Sequence, residues 1–108
     1  MKLWQFTLPN YANDGASYAT ARAEWERKAR ERAGGLTHIG MTVGQWVDAG
    51  KLYYEPMQTY QVAASSDIAD ELLADAFELF PDQQALFRAE IGTASIVERP
   101  RTKIAQIA

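Results

Sequence analysis

A chain of 108 residues, 47% apolar and 23% charged, is enough for one domain around one core and too little for two. It has no cysteine, which excludes disulfides, thiolate catalysis and thiolate zinc sites and fits a reducing compartment. The net charge of −3 leaves an acidic whole with one short basic tail, a poor electrostatic footprint for nucleic acid. Met1 to Pro9 alternates polar and apolar residues, without the apolar run of a signal peptide or membrane span. The expectation is a cytoplasmic protein with no membrane partner.

In chain order, Leu3 to Leu8 reads as a strand with Trp4, Phe6 and Leu8 on one face. Pro9 ends it, and Asn10 to Gly15 has loop chemistry. Ser17 is the expected N-cap of a helix whose narrow apolar face carries Tyr18, Ala21, Trp25, Ala29 and Ala33. Its charged face offers the i,i+4 pairs Glu24–Lys28 and Glu26–Arg30, and Gly34-Gly35 stops it.

From Leu36 the period returns to two. Ile39, Met41 and Val43 share the expected core face and His38 and Thr42 the other, with a bulge at Gly44. Asp48-Ala49-Gly50 reads as a tight hairpin turn, its glycine left-handed. The return strand, Lys51 to Ala64, sets Tyr60, Val62 and Ala64 toward the core. Pro56 cannot donate to a ladder, so the hairpin is expected to project past the sheet as an arm.

Ser65-Ser66-Asp67 opens a second helix, with Ile68, Leu72, Leu73, Ala76, Phe77, Leu79 and Phe80 as a broad apolar face. Its acidic residues crowd the N-terminal half, where the helix dipole favours them. They read as a solvated face or as a docking surface for a basic partner. Leu86 to Glu98 reads as the last strand, Phe87 and Ile91 inward, with a bulge near Gly92; a short helix over Asp82–Glu90 is the alternative. A basic tail, 99–108, follows and is expected to dock on a sheet edge or a second copy.

The order strand, helix, strand, strand, helix, strand predicts a single α+β domain over residues 1–98. It is a ferredoxin-like βαββαβ sandwich, an antiparallel four-stranded sheet with two helices on one face. The expected shared core is Trp4, Trp25, Tyr60 and Phe77. The uncovered face would show Gln5, Thr7, His38, Thr42, Thr59, Gln61, Arg88 and Glu90, a polar surface suited to water or to a small polar ligand.

No motif names a chemistry. His38 is the only histidine and the only side chain that titrates near neutrality unperturbed; an enzyme of the paired α/β-barrel type would need it oriented by Glu90. No metal set is visible, so neither metal nor cofactor is expected. The densest concentration of interface-type side chains is the hairpin, with Trp46, Tyr53, Tyr54 and Met57. The expected binding residues are these four with His38, Gln61 and Arg88, and Trp46, Tyr53 and Met57 are expected to pack against another copy. A closed pocket of Trp46, Tyr53, Tyr54 and an arginine would mark a protein that sequesters a nucleotide-like molecule instead.

The runs Ala33-Gly34-Gly35-Leu36-Thr37, Gly44-Gln45-Trp46, Gly50-Lys51-Leu52-Tyr53, Tyr60-Gln61-Val62-Ala63, Phe80-Pro81-Asp82-Gln83 and Glu90-Ile91-Gly92-Thr93-Ala94 resemble a family of short, functionally uncharacterised proteins found mostly in phages and prophages. The resemblance spans about residues 2–98. It implies no activity and no catalytic residues. It does imply a phage accessory role by binding, either to a host protein or to a small molecule. The reading is a non-enzymatic homo-oligomeric binding protein acting through the arm and the open face.

Overall fold

Six elements follow in the expected order in a computed structural model that describes residues 1–100. They are β1 (Lys2–Pro9), α1 (Ala19–Ala33), β2 (Thr37–Asp48), β3 (Lys51–Ala64), α2 (Ser66–Leu79) and β4 (Phe87–Thr93). The expected tail begins at the edge of this range, and its residues from 101 on, with Ile104 and Ile107, lie outside the described residues. One sheet is formed, in the order β2-β3-β1-β4, and every neighbouring pair is antiparallel. Both helices cover the same face, and the fold is the α+β ferredoxin-like sandwich.

The core joins the inward sides of the two central strands to the helices. Trp4, Phe6, Leu8, Tyr60, Val62 and Ala64 meet Trp25 and Ala29 of α1, Ala69, Leu72 and Ala76 of α2, and Phe80. Trp25 is fully enclosed, and its indole Nε1 donates to the Leu72 carbonyl at 3.0 Å, so its polar edge is satisfied without water. Phe80, not Phe77, completes this cluster; Phe77 is 42% exposed. Phe80 caps α2 where the chain turns back over the core, whereas Phe77 lies on the outward flank of the same apolar sector.

The helices attract through charge, with different partners from those expected. Arg27 pairs with both Glu24 and Glu31, while Glu26 accepts a hydrogen bond from the Tyr60 hydroxyl at 2.8 Å. Arg32 forks onto Asp75 at 2.6 and 3.0 Å and also reaches Glu71, tying α1 to α2. Ser17 accepts from the Ala19 amide but is not the cap, which is Tyr18 without a side-chain bond. Ser65 does cap α2, accepting from the Ile68 amide at 3.3 Å.

The arm begins where β1 ends. Pro9 stands opposite Met57, and the six pairs from Val43–Pro56 to Asp48–Lys51 have no third strand beside them. At about 3.4 Å per residue they carry the turn roughly 20 Å beyond the sheet. The described chain accordingly measures 63 × 27 × 24 Å. Pro56 is tolerated because its carbonyl points toward β1, accepting from the Asn10 amide at 3.2 Å. Its missing N–H points the same way, past the end of the β1 ladder, so the pairing with β2 is intact. Ala49 and Gly50 have φ of 50° and 77°, the two left-handed residues of a type I′ turn.

Two bulges shift the expected phases. The register slips between His38 and Gly40, with Ile39 as the extra residue, so His38 pairs with Tyr60 on the helix side and not on the open face. Gly44, where a bulge was expected, continues the ladder regularly. On β4 the slip falls at Ile91, next to Gly92 as expected, but the inward residues are Arg88 and Glu90, opposite Phe6 and Trp4. Phe87 faces the open side at 54% exposure. Arg88 lies over the Trp4 ring at 4.8 Å and bonds Asp70 at 2.7 Å, acting as an amphipathic cover on the flank of the core.

Candidate functional site

The open face is floored by neutral hydrogen-bonding side chains. Thr59, opposite Thr7, bonds it at 3.1 Å and bonds Thr42 at 3.0 Å, so three strands are stitched by one hydroxyl row. Gln5 lies beside this row, also on the uncovered side. Above the floor, the arm on one side and the turn between α2 and β4 on the other border an open concavity of about 960 Å³. Trp46 and Met57 form the arm wall, and Gln83 and Phe87 the opposite one.

Period two brings the arm residues to this wall. Tyr53, Glu55 and Met57 share the open side of β3, and Trp46 stands opposite Tyr53 with the rings stacked, centroids 5.6 Å apart. Tyr54 and Leu52 point to the other side of the arm with Met41, Val43 and Val47. That underside extends past the helices. Met41, Val43, Val47 and Tyr54 are each more than 60% exposed, an apolar strip without cover among the described residues.

Asp82 ties the opposite wall down. It accepts hydrogen bonds from the Tyr18 hydroxyl, the Asn13 amide and the Gln83 side chain, which hold its carboxyl below the ordinary range. The Tyr18 hydroxyl is pushed up to about 12, first by burial and then by the adjacent Asp82 carboxylate. Glu55 differs. Among the described residues it has no ion-pair or hydrogen-bond partner, and burial, then the charge of Asp82, raise its carboxyl above the ordinary value.

Of the residues expected to bind, the structure gathers Trp46 and Met57 at the concavity, with Tyr53 stacked behind Trp46. Gln61 lines a separate cleft of about 280 Å³ with Gly34, Gly35 and Leu36 at the other end of the open face. Tyr54, His38 and Arg88 lie on the helix side. The ring of His38 stacks on Tyr60 at 4.5 Å and its Nε2 is 2.7 Å from the Gln58 amide oxygen. His38 and Glu90 occupy β2 and β4, the two opposite edges of the sheet. Three strand spacings, about 14 Å, separate them, so the carboxylate does not orient the imidazole. Among the described residues no basic side chain lines the concavity, and Tyr54 points away from it, so they show no arginine-lined aromatic pocket. Glu55 and Asp82 were missed as site residues, although the alternation from Tyr53 to Met57 already places Glu55 between them on one face.

Among the described residues no three His, Cys, Asp or Glu side chains converge as a metal-ligand set, and no helix is long and apolar enough to cross a membrane.

These features define a class: a small ferredoxin-like domain whose central hairpin outgrows its sheet. The comparisons with solved structures fall in that class. The chain is similar to the divalent cation tolerance protein CutA1 of Thermus thermophilus, with a TM-score of 0.68, 10% identity and coverage of 89% of this chain and 86% of that one. It is similar to CutA1 of Pyrococcus horikoshii, with a TM-score of 0.59, 16% identity and coverage of 88% and 87%. The PII-like protein CutA of Nostoc sp. PCC 7120 gives 0.58, 17% identity, and 86% and 81%. At these identities the likeness is one of fold. No protein-family model and no curated protein sequence matches the chain. The resemblance to phage proteins is thereby overturned: the structures that share this architecture are CutA proteins of bacteria and archaea.

Proposed function

We propose that the protein is a non-enzymatic binding protein that holds a small polar ligand in the concavity beside its arm and works as a homo-oligomer. One observation carries the reading. An arm without a third strand projects past a polar sheet floor, and its wall borders an open groove of ligand size, about 960 Å³. A floor of threonine hydroxyls and glutamine amides supplies hydrogen bonds without a nucleophile or an oriented base, which supports binding over catalysis. Self-association is supported by the apolar underside of the arm. An isolated two-stranded ribbon is marginal in water, and a second copy laid on that strip would stabilise it.

The divalent cation tolerance named for the CutA1 neighbours supplies the second arm of the test, a titration with a divalent ion. A thermal-shift screen of polar metabolites and divalent ions on the full chain should yield a stabilising ligand. Its shift should be lost in Trp46→Ala and in Gln5→Leu and retained in His38→Ala. A screen without any stabilising compound, or a shift that survives both groove substitutions, removes the reading.

A further inference from the structure

The arm wall of the concavity has a composition of its own. Glu55 stands opposite Gly44, which contributes no side chain, so its carboxylate is flanked along the strand by Met57 and by the stacked pair of Tyr53 and Trp46. An unpaired carboxylate in such a setting has lost part of its hydration and gained no cation. The aromatic pair already attracts one: the Lys51 ammonium of the arm turn lies 5.1 Å above the Tyr53 ring. Among the described residues no lysine or arginine lines the concavity, while Asp48 and Asp82 lie at its rim.

Building on the reading of this concavity as a ligand site, we infer that its occupant is a small organic cation, an aliphatic amine whose ammonium group pairs with the Glu55 carboxylate and whose chain runs along Met57 toward the exposed part of the Trp46 ring. Anions are disfavoured on this surface, because phosphate would meet Glu55 and Asp82 without a compensating base. A bare divalent ion is served poorly as well, since it requires several oxygen ligands at short range and Asp82 already accepts from three donors. An alkylammonium needs only one carboxylate and an aromatic face, with the chain of the amine lying along Met57 and the threonine floor. The raised carboxyl of Glu55 agrees with a site that gains a cation on loading. On binding an amine, Glu55 should return toward the ordinary carboxylate range.

The test is calorimetric titration of the full chain at about pH 7.5 with spermidine, ATP and magnesium chloride as probes. Spermidine should bind, its affinity should fall with added salt, and Glu55→Gln and Trp46→Ala should each weaken it at least fivefold. Glu55→Gln removes an uncompensated charge and keeps the shape, so it folds, and a loss of binding in it is a loss of the site. Spermidine affinity unchanged in Glu55→Gln overturns the assignment. ATP or magnesium binding more tightly than spermidine, with Trp46→Ala abolishing it, overturns the amine class and leaves the concavity a ligand site. If none of the three binds, the amine assignment falls, and the metabolite screen above then decides the concavity itself.

Discussion

Trp25 lies between the rings of Phe6 and Tyr60, with centroids 5.1 and 5.2 Å away, and no solvent reaches it. Truncation to alanine removes the largest enclosed side chain and leaves the Leu72 carbonyl without its donor. Trp25→Ala should cost about 3–5 kcal/mol in denaturant unfolding, and a change below about 1 kcal/mol would contradict its place in the core. This residue was legible in the sequence because it is the one large apolar side chain on its helix. Phe80 was less so, since the apolar sector of α2 is wide and contains both Phe77 and Phe80; only the packing of the chain end against Tyr18, with ring centroids at 4.8 Å, selects Phe80. At the tip of the arm, Ala49 holds a left-handed φ of 50° that costs an alanine about 1 kcal/mol. Ala49→Asn, which tolerates that region and precedes glycine in type I′ turns, should slow hydrogen exchange of the arm amides severalfold and leave the core amides unchanged.

Elements are held at one end by a clasp between loops. Tyr18 and Asn13, before α1, both bond Asp82, after α2, and this clasp forms the wall opposite the arm. Its pH dependence has a definite sign. Asp82 titrates below its ordinary 3.8, so its contribution is present above that pH and is lost as pH falls through the depressed value. Tyr18 titrates near 12 instead of 10.0, so its contribution is full below pH 10 and is lost as pH rises through 12. Tyr18→Phe should therefore lower the melting temperature throughout about pH 5–9, with the difference from wild type narrowing at both extremes. A constant difference across the whole range would mean that only ring packing was lost. The order and nature of the elements were readable from hydrophobic period, because period two and period 3.6 separate cleanly along this chain. The face of β2 was legible from Gly40 on, but the side taken by its first residues and the face of β4 were not. A single extra residue in a bulge reverses every side chain beyond it, and the alternation His38-Ile39-Gly40-Met41 gives no sign of where the slip falls. That one residue moved His38 from the open face to the helix side. On β4 the phase was misread because Arg88 and Glu90 cover the core edge with their stems, and Phe87 lies in the open.

The arm has two faces with different chemistry, and each suggests a different partner. Its upper face, with Trp46, Glu55 and Met57, looks onto the concavity; its underside presents Met41, Val43, Val47, Leu52 and Tyr54 to solvent. The sequence showed the aromatics of the arm as one cluster, since linear spacing does not say that Tyr53 and Tyr54 point to opposite sides until a strand is assumed. Once the register is known, the two faces can be probed by substitution, although Val43 and Val47 also border the concavity. Val47 pairs with Leu52 across the underside, remote from the helices, so a charge there leaves the core intact. Val47→Asp should convert the assembly to monomer in sedimentation velocity at micromolar concentration, with the circular dichroism spectrum unchanged. Trp46→Asp, one residue earlier and on the other face, should leave the sedimentation coefficient near that of wild type while weakening any ligand bound beside the arm. The melting temperature of the wild type should also rise with protein concentration, as mass action requires of a folded state stabilised by its own association, and the Val47→Asp protein should lose that dependence. A wild type that sediments as a monomer, with a melting temperature independent of concentration, would show that the strip stays uncovered and would remove self-association from the function.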